Sequence, residues 1–122
     1  MLSLQHRLKS KEDFSRVYRE GGVRNCSWMG MRYCRNRKKG TRVGFVIPNS
    51  VIKRATGRNR LRRQLRAAVQ KNFSSLPAGF DIFFVVKRYL SPLPFNVIEH
   101  DLLLLVHYLL LLRQNTQKMA NI

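Results

Sequence analysis

Hydrophobic residues recur at helical spacing in three segments of the chain. In the first, Phe14, Val17 and Tyr18 are three and four residues apart, which favours a helix from about Lys11 to Glu20. Ser10 precedes this segment as a good N-cap, and a glycine follows it as a good stop. The first predicted element is therefore an amphipathic helix.

The second helical segment, from about Ala55 to Phe73, has two unlike faces. At about 100° per residue, its apolar residues fall within about a third of the circumference. These residues are Leu61, Leu65, Ala68 and Val69. The opposite side carries Asn59, Arg60, Arg62, Arg63 and Arg66. Arginines grouped on one face repel each other unless a polyanion lies across them, so this pattern predicts a helix that lies against phosphates.

The third segment is rich in leucine. Asn96 followed by Glu99 resembles a capping box and favours a last helix through about Leu112. The run from Leu102 to Leu112 holds eight leucines in 11 residues, whereas a membrane span needs about 20 apolar residues. We therefore expect no membrane span. The excess of leucine instead predicts extra packing, weak self-association or a protein partner.

The segments between the helices suit extended strands. Residues 28–35 and 42–47 flank a basic cluster that ends in glycine, which predicts a hairpin, and a short third strand is expected near Val51. Residues 80–86 show no alternation after Asp81, as in a strand covered on both faces. The predicted order is α-β-β-β-α-β-α.

Charge is distributed unevenly along the 122 residues. The net charge is +18, and the stretch from Gly21 to Phe80 holds 15 Lys and Arg but no Asp or Glu. Such a concentration predicts a polyanionic partner and salt-dependent affinity. The length suits a single domain, residues 1–122, whose core needs no disulfide or metal. With no signal-peptide-like stretch at the start and two cysteines expected to be reduced, a cytoplasmic protein is predicted.

The carboxylates do not suggest catalysis by the chain itself. A metal-dependent nuclease needs convergent carboxylates, and the only acids are Glu12, Asp13, Glu20, Asp81, Glu99 and Asp101. The acids that are close in sequence lie at predicted helix starts, where favourable interaction with the helix dipole explains them. The three histidines show no ligand spacing, and no motif suggests a paired general acid and base. We predict neither catalytic nor metal-binding residues.

A run of arginines on a helix does not by itself indicate nucleic acid. It is often a solvated face, a membrane-surface helix or a calmodulin-type target. In those cases the helix is free and amphipathic, with bulky apolar residues. The basic helix of this chain instead lies between two predicted strands and has a modest apolar side. Asn59, among the arginines, can donate to a phosphate and accept from a base. Nucleic-acid contact is therefore the favoured interpretation.

The aromatic residues allow two interpretations. Phe14 and Tyr18, one turn apart, are either core residues or an aromatic pair beside a basic cleft that stacks bases of a single strand. Tyr33 on the first predicted strand would join this pair, as would Met31 in the alternative register of that strand.

Several segments together resemble the bacterial ribonuclease P protein subunit. Residues 55–66 resemble its signature, an Arg-Asn-Arg motif followed by a basic and apolar helix. Residues 8–14 resemble the family's first helix with its aromatic residue. Residues 42–46 and 79–86 resemble the strands before and after the motif. The combination is specific, although each piece alone is not.

The resemblance implies an α+β fold, a two-layer α/β sandwich in which the basic helix makes a left-handed crossover between parallel strands, against the usual right-handed rule. It implies an enzyme that removes the 5′ leader from precursor tRNA, with catalysis by an RNA subunit. The magnesium ions are held by that RNA, and the protein itself binds no cofactor. The implied partners are therefore the ribonuclease P RNA subunit and precursor tRNA.

The resemblance also implies roles for individual residues. The residues expected to contact the RNA subunit are Lys53, Arg54, Arg58, Asn59, Arg60, Arg62, Arg63 and Arg66. Contact with the single-stranded leader falls to Phe14 and Tyr18, which match the family's cleft aromatics, and Met31 and Tyr33 are added to them. Where the family usually carries two adjacent lysines, this chain has Asn49-Ser50. Lys53 and Arg54 are expected to compensate.

Two alternatives remain open at this point. One is a ribosomal or other structural RNA-binding protein without a role in cleavage. The other is a self-sufficient protein nuclease. Cleavage of precursor tRNA by the RNA subunit alone, the protein alone and both together separates all three hypotheses.

Overall fold

The computed structural model describes residues 6–8, 10–36 and 40–120, with side chains described as far as Leu112. Three helices and four strands form an α+β fold. In chain order they are α1 (Lys11–Glu20), β1 (Gly22–Asn25), β2 (Met29–Arg35), β3 (Arg42–Val46), α2 (Ala55–Lys71), β4 (Phe80–Val86) and α3 (Phe95–Ala120). A short 3-10 turn follows α2 at Phe73–Ser75. The predicted order α-β-β-β-α-β-α is confirmed.

The four strands form one sheet in the order β1-β2-β4-β3. β2 runs antiparallel to both β1 and β4, whereas β3 is parallel to β4. All but one residue of β4 is buried, which confirms a strand covered on both faces. The parallel pair β3 and β4 is joined through α2, which is the crossover that the family resemblance implies. Its left-handed sense stays a prediction.

The predicted hairpin between β2 and β3 is wrong. These strands are not neighbours, because β4 lies between them. The hairpin is formed by β1 and β2, and the Cys26 amide closes it by donating to the Met29 carbonyl at 2.9 Å. Strand β1 has only four residues, three of them exposed, so it lacks the alternation that marks a half-buried strand. Of the predicted loop over residues 35–40, residues 37–39 lie outside the described part.

The strand predicted near Val51 is also wrong. The amides of Val51 and Ile52 both donate to the Pro48 carbonyl, at 3.0 and 3.2 Å. This turn satisfies the backbone donors locally, so they are not available to a sheet ladder. The chain therefore enters α2 from a turn. The third strand before α2 is β3, and no further strand lies between β3 and α2.

Helices α2 and α3 cover one face of the sheet. The apolar stripe predicted for α2 is confirmed, since all four of its residues are buried. They pack with the buried face of α3, formed by Ile98, Leu102, Leu105, Val106 and Leu109. By length and composition, residues 95–112 of α3 form one helix apolar enough to cross a membrane. The share of these residues that is buried is 28%, so α3 buries one face against the sheet and leaves the rest of this segment at least partly accessible.

The capping box predicted for α3 is wrong. The helix begins one residue before Asn96, and the amides of Val97 and Ile98 donate to the Pro94 carbonyl at 3.1 Å. The Glu99 carboxylate instead accepts from Asn72 Nδ2 at 2.9 Å and pairs with Lys71 Nζ at 3.2 Å. Glu99 therefore links α3 to the end of α2.

Helix α1 packs on the opposite face of the sheet, and its predicted bounds are confirmed. The Ser10 hydroxyl accepts from the Glu12 amide at 3.2 Å, as an N-cap should. Val17 is buried there with Leu8, Cys34 and Phe83 in a second, smaller cluster. This helix covers only part of the face, because Val46 and Val85, on the same side, remain half-buried.

A buried carboxylate ties α1 to the sheet. The fully buried Asp81 side chain accepts from Arg42 Nε at 2.9 Å and from Asn36 Nδ2 at 2.8 Å. It also pairs with Arg16 of α1, and Arg42 reaches Asp13 of α1 at 3.1 Å. Burial by itself raises the pKa of Asp81, but the hydrogen bonds from Arg42 and Asn36 and the two nearby arginine charges outweigh it and lower the pKa overall.

Candidate nucleic-acid interface

The exposed side of α2 carries a groove that we call the arginine face. It is an open depression of about 410 Å³ lined by Thr56, Asn59, Arg62, Arg63 and Arg66. The Asn59 side-chain oxygen accepts from Arg62 Nη1 at 3.3 Å, so these two side chains are oriented together. None of the ion pairs within the described residues involves these arginines. Their charge is therefore available to a polyanion.

The start of α2 adds to this positive surface. Arg54 occupies the N-cap position without a side-chain cap, and the first turn contains no acidic residue. Lys53 and Arg54 are both exposed there. The free amides and the positive end of the helix dipole favour an anion at this end. Both predicted residues thus lie where they can add charge next to the arginine face.

Two residues of the Arg-Asn-Arg motif point elsewhere. Arg58 Nη1 donates to the carbonyls of Ile52 and Lys53, both at 2.8 Å. It therefore anchors the turn that precedes α2. Arg60 is exposed and lines a separate pocket on another side of the helix. Of the eight predicted RNA-binding residues, Asn59, Arg62, Arg63 and Arg66 line one groove. The other four lie at the start of α2 or on another side of that helix.

The arginine face continues toward the sheet. Arg62 and Arg66 also line a cavity of about 90 Å³ beside β3, together with Gly44 and Arg7. Burial lowers the pKa of Arg66, and the charges of Arg7 and Arg62 lower it further. Sequence reasoning missed Arg7, because only its parallel bridge to Val43 brings it beside α2. The only sign of such a role in the sequence is the positive charge of Arg7.

Gly44 connects this cavity to α1. A Cβ atom at Gly44 would lie 2.7 Å from the Leu8 carbonyl oxygen and 2.8 Å from Phe14 Cζ. Such contacts are closer than packing allows, so this close approach requires glycine. The arginine face and the aromatic side of α1 therefore border the same part of the sheet.

The two aromatic residues of α1 differ in environment. Phe14 is half-buried, with its ring centroid 4.9 Å from that of Phe83, so it serves in packing. Its contact with the leader stays a prediction. Tyr18 is 62% exposed. The guanidinium of Arg32 lies over its ring. Sequence reasoning missed Arg32, although strand alternation places it on the face opposite Met31 and Tyr33.

The structure contradicts the leader-binding assignment of Met31, whereas that of Tyr33 gains no support and stays a prediction. Both side chains lie on the face of β2 that packs against α2 and α3, because residues two apart share one face of a strand. Met31 is fully buried in that core. Tyr33 lies with its ring centroid 6.0 Å from that of Tyr108. Burial, followed by the contact with Tyr108, raises its pKa to about 12. Neither residue reaches the side that carries Phe14 and Tyr18.

Most carboxylates have structural partners. Asp101 accepts from the Trp28 indole at 2.7 Å, while Asp13, Asp81 and Glu99 take part in the interactions described above. Among the described residues, no group of three or more His, Cys, Asp or Glu is placed to hold a metal ion. The arrangement of this surface is suited to binding a polyanion and a stacked ring.

Comparison with known proteins identifies the family. The family model described as Ribonuclease P matches residues 2–110. The ribonuclease P protein component of Pseudanabaena sp. (strain PCC 6903) is 33% identical over 103 residues, which cover 84% of this chain and 89% of the relative.

Solved structures agree with this match. The RNase P protein from Thermotoga maritima superposes with a TM-score of 0.76 at 28% identity, covering 82% of this chain and 94% of that one. The Staphylococcus aureus RNase P protein shares the fold, with a TM-score of 0.77 at 20% identity, covering 84% and 94% of the two chains. Since the family model spans nearly the whole sequence, the chain belongs to the ribonuclease P protein family.

Proposed function

We propose that this chain is the protein subunit of ribonuclease P, which assists an RNA subunit in removing the 5′ leader of precursor tRNA. One observation carries the proposal. Arg62 and Arg66 line both the groove on α2 and the cavity beside β3, so one basic surface runs from the helix to the partly open face of the sheet. A surface of this kind can hold a structured RNA and a single strand at the same time.

In this proposal, the arginine face binds the RNA subunit. Its arginines neutralise phosphates, and Asn59 offers both a donor and an acceptor. Lys53, Arg54, Arg58 and Arg60 contribute charge around the start of α2. Because Asn49-Ser50 stands in place of the usual lysine pair, α2 carries more of the RNA contact in this chain.

The leader lies across the open part of the sheet next to α1. The exposed Tyr18 ring provides a stacking surface for a base. Arg32, which contacts this ring, provides a charge for the adjoining phosphate. Phe14 and the half-buried Val46 and Val85 form the apolar side of the cleft.

The protein's residues bind, orient and neutralise, while bond cleavage and the magnesium ions belong to the RNA subunit. Four of the six carboxylates support this division, because Asp13, Asp81, Glu99 and Asp101 are engaged by basic or donor groups of the chain. We propose that the complex works in the cytoplasm, where precursor tRNA is made.

Precursor tRNA cleavage by three mixtures tests the proposal: the RNA subunit alone, the protein alone, and both together at low magnesium. We expect no cleavage by the protein alone and clear stimulation of the RNA subunit by the protein, because bound arginines replace part of the cation requirement. Cleavage by the protein alone would establish a self-sufficient nuclease. If the protein failed to stimulate the RNA subunit at low magnesium, a structural RNA-binding role would be favoured.

A further inference from the structure

A second pocket lies on α2, between the arginine face and the buried apolar stripe. Its volume is about 260 Å³. Its walls come from the turn before α2, from α2 itself and from the segment after β4, and include Ile52, Arg60, Leu61, Gln64, Tyr89 and Leu90. We propose that this pocket receives one unpaired base of the RNA that α2 binds. The inference rests on the proposed function, since it requires RNA on this helix.

The size and lining suit a single ring system. Sites for drug-sized ligands have volumes of about 300–1,000 Å³, so this pocket is at or below the small end of that range. Leu61 is buried at its base, and the Tyr89 ring forms part of its wall. An apolar slot with an aromatic wall is the environment that favours an unstacked base over water.

Polar groups are placed to recognise the edge of a base. The Gln64 side chain is half-buried, and the hydrogen bonds within the described residues leave its amide without a partner. An amide offers both donors and acceptors, and glutamine pairs with base edges in this way. Arg60, also in the lining, can bind the phosphate that precedes or follows the inserted base.

Both walls of the pocket are held in place. On one side, Arg58 fixes the carbonyls of Ile52 and Lys53. On the other, the Tyr89 hydroxyl accepts from the Leu93 amide at 3.0 Å, and its ring centroid lies 5.8 Å from that of Trp28. A pocket that is already formed loses little conformational entropy when a ligand enters.

The mouth of the pocket points to a nucleic acid rather than a protein segment. Leu90 is 92% exposed there, where it can cover one face of a base. Lys53 and Arg88 flank lining residues in the sequence, and the lining itself contains no Asp or Glu. This charge complements a phosphate backbone.

The test uses the full chain and the purified ribonuclease P RNA subunit of the same organism. We expect Leu90→Ala and Gln64→Ala each to weaken RNA binding about tenfold, in the range measured for loss of one base-stacking contact. The salt dependence of affinity should not change, because neither residue is charged. Chemical probing of the complex should show one unpaired nucleotide that is protected with the unaltered chain and reactive with either variant.

Matched controls replace an exposed residue of the same kind away from the pocket. Gln70→Ala lies on α2 outside the lining, and Val23→Ala removes an exposed apolar side chain on β1. Both should bind the RNA subunit as the unaltered chain does. If Leu90→Ala and Gln64→Ala also bound normally while Arg63→Ala did not, the pocket proposal would be wrong and the proposed function would stand. That result is also expected of a pocket that serves a protein segment. Normal binding by Arg63→Ala as well would count against the proposed function itself.

Discussion

The guanidinium carbon of Arg32 on β2 lies 4.0 Å from the centroid of the Tyr18 ring on α1. The contact joins the sheet to the exposed side of α1. An exposed cation–π pair contributes about 0.5–1 kcal/mol, so replacing either residue should have only a small effect on folding. These two residues are therefore suitable probes of leader binding.

Replacing Tyr18 with Ala should weaken binding of precursor tRNA by the holoenzyme, because a stacking surface for the leader is lost. Affinity for mature tRNA, which has no leader, should not change. Filter binding with the two tRNAs measures the difference directly. Equal loss with both tRNAs would make Tyr18 a structural residue and refute the cleft assignment. Met31→Leu, a similar-volume change in the buried core, serves as a control and should alter neither affinity.

Replacing Arg63 with Ala should weaken binding of the RNA subunit and reduce the salt dependence by about one counterion. The reason is that binding releases about one condensed counterion fewer from the RNA for each phosphate contact that is lost. Arg24→Ala is the control, since this exposed arginine lies on β1 against the Tyr108 ring rather than on α2. A plot of affinity against salt concentration distinguishes the two variants. Identical slopes would mean that the arginine face does not contact phosphate.

Asp81 should make the fold sensitive to acid. Its pKa is lowered in the folded state, so its contribution is present above the unfolded pKa of about 3.9 and is lost as the pH falls through the lower, folded value. Asp81→Asn should destabilise the chain by about 3–5 kcal/mol, because Arg16 and Arg42 then face a neutral amide.

Urea unfolding of Asp81→Asn at neutral pH and below about pH 4 tests this expectation. The difference in the free energy of unfolding between Asp81→Asn and the unaltered chain should shrink in acid. Glu12→Gln changes an exposed carboxylate and should leave the profile intact. A constant difference across the pH range would show that the charge of Asp81 does not stabilise the fold.

The outer side of α3 should mediate weak self-association. Leu104 and Leu111 lie seven residues apart, two turns along the helix, and are 57% and 46% exposed. The net charge of +18 opposes contact between copies, so association should strengthen as salt screens this repulsion. RNA binding should respond in the opposite direction. Sedimentation velocity at low and high salt measures the effect, and Leu104→Glu should abolish it while Leu90→Glu should not. A monomer at all salt concentrations would contradict this expectation.

The sequence predicted the elements whose signals are local. The bounds of α1 follow from Ser10, the glycine after Glu20 and the spacing of Val17, all within one short segment. The buried stripe of α2 follows in the same way from the positions of Leu61 and Leu65. The capping box at Asn96 failed, because Glu99 is held by Asn72 of another helix, a partner that local spacing does not reveal.

Strand pairing was not predictable from the sequence. The loop after Arg35 suits a hairpin, yet β4, which follows about 35 residues after β3, inserts between β2 and β3. The alternative register considered for the first predicted strand also placed Met31 with the aromatic residues of α1. The face that a strand presents to each helix depends on which helix packs there, and that is a long-range choice.

The sequence by itself therefore determined the charge of the chain, the basic helix and the family to which it belongs, because helical periodicity and a continuous motif are properties of neighbouring residues. Only the tertiary structure decided which side chains share a surface. It placed Arg7 beside Arg66 and Arg32 over Tyr18. It also buried Met31 in the core, packed the half-buried Tyr33 against that core, and formed the pocket between Gln64 and Leu90. Such groupings join residues that are distant in sequence, and their positions depend on the order of strands in the sheet and on the packing of the helices against it.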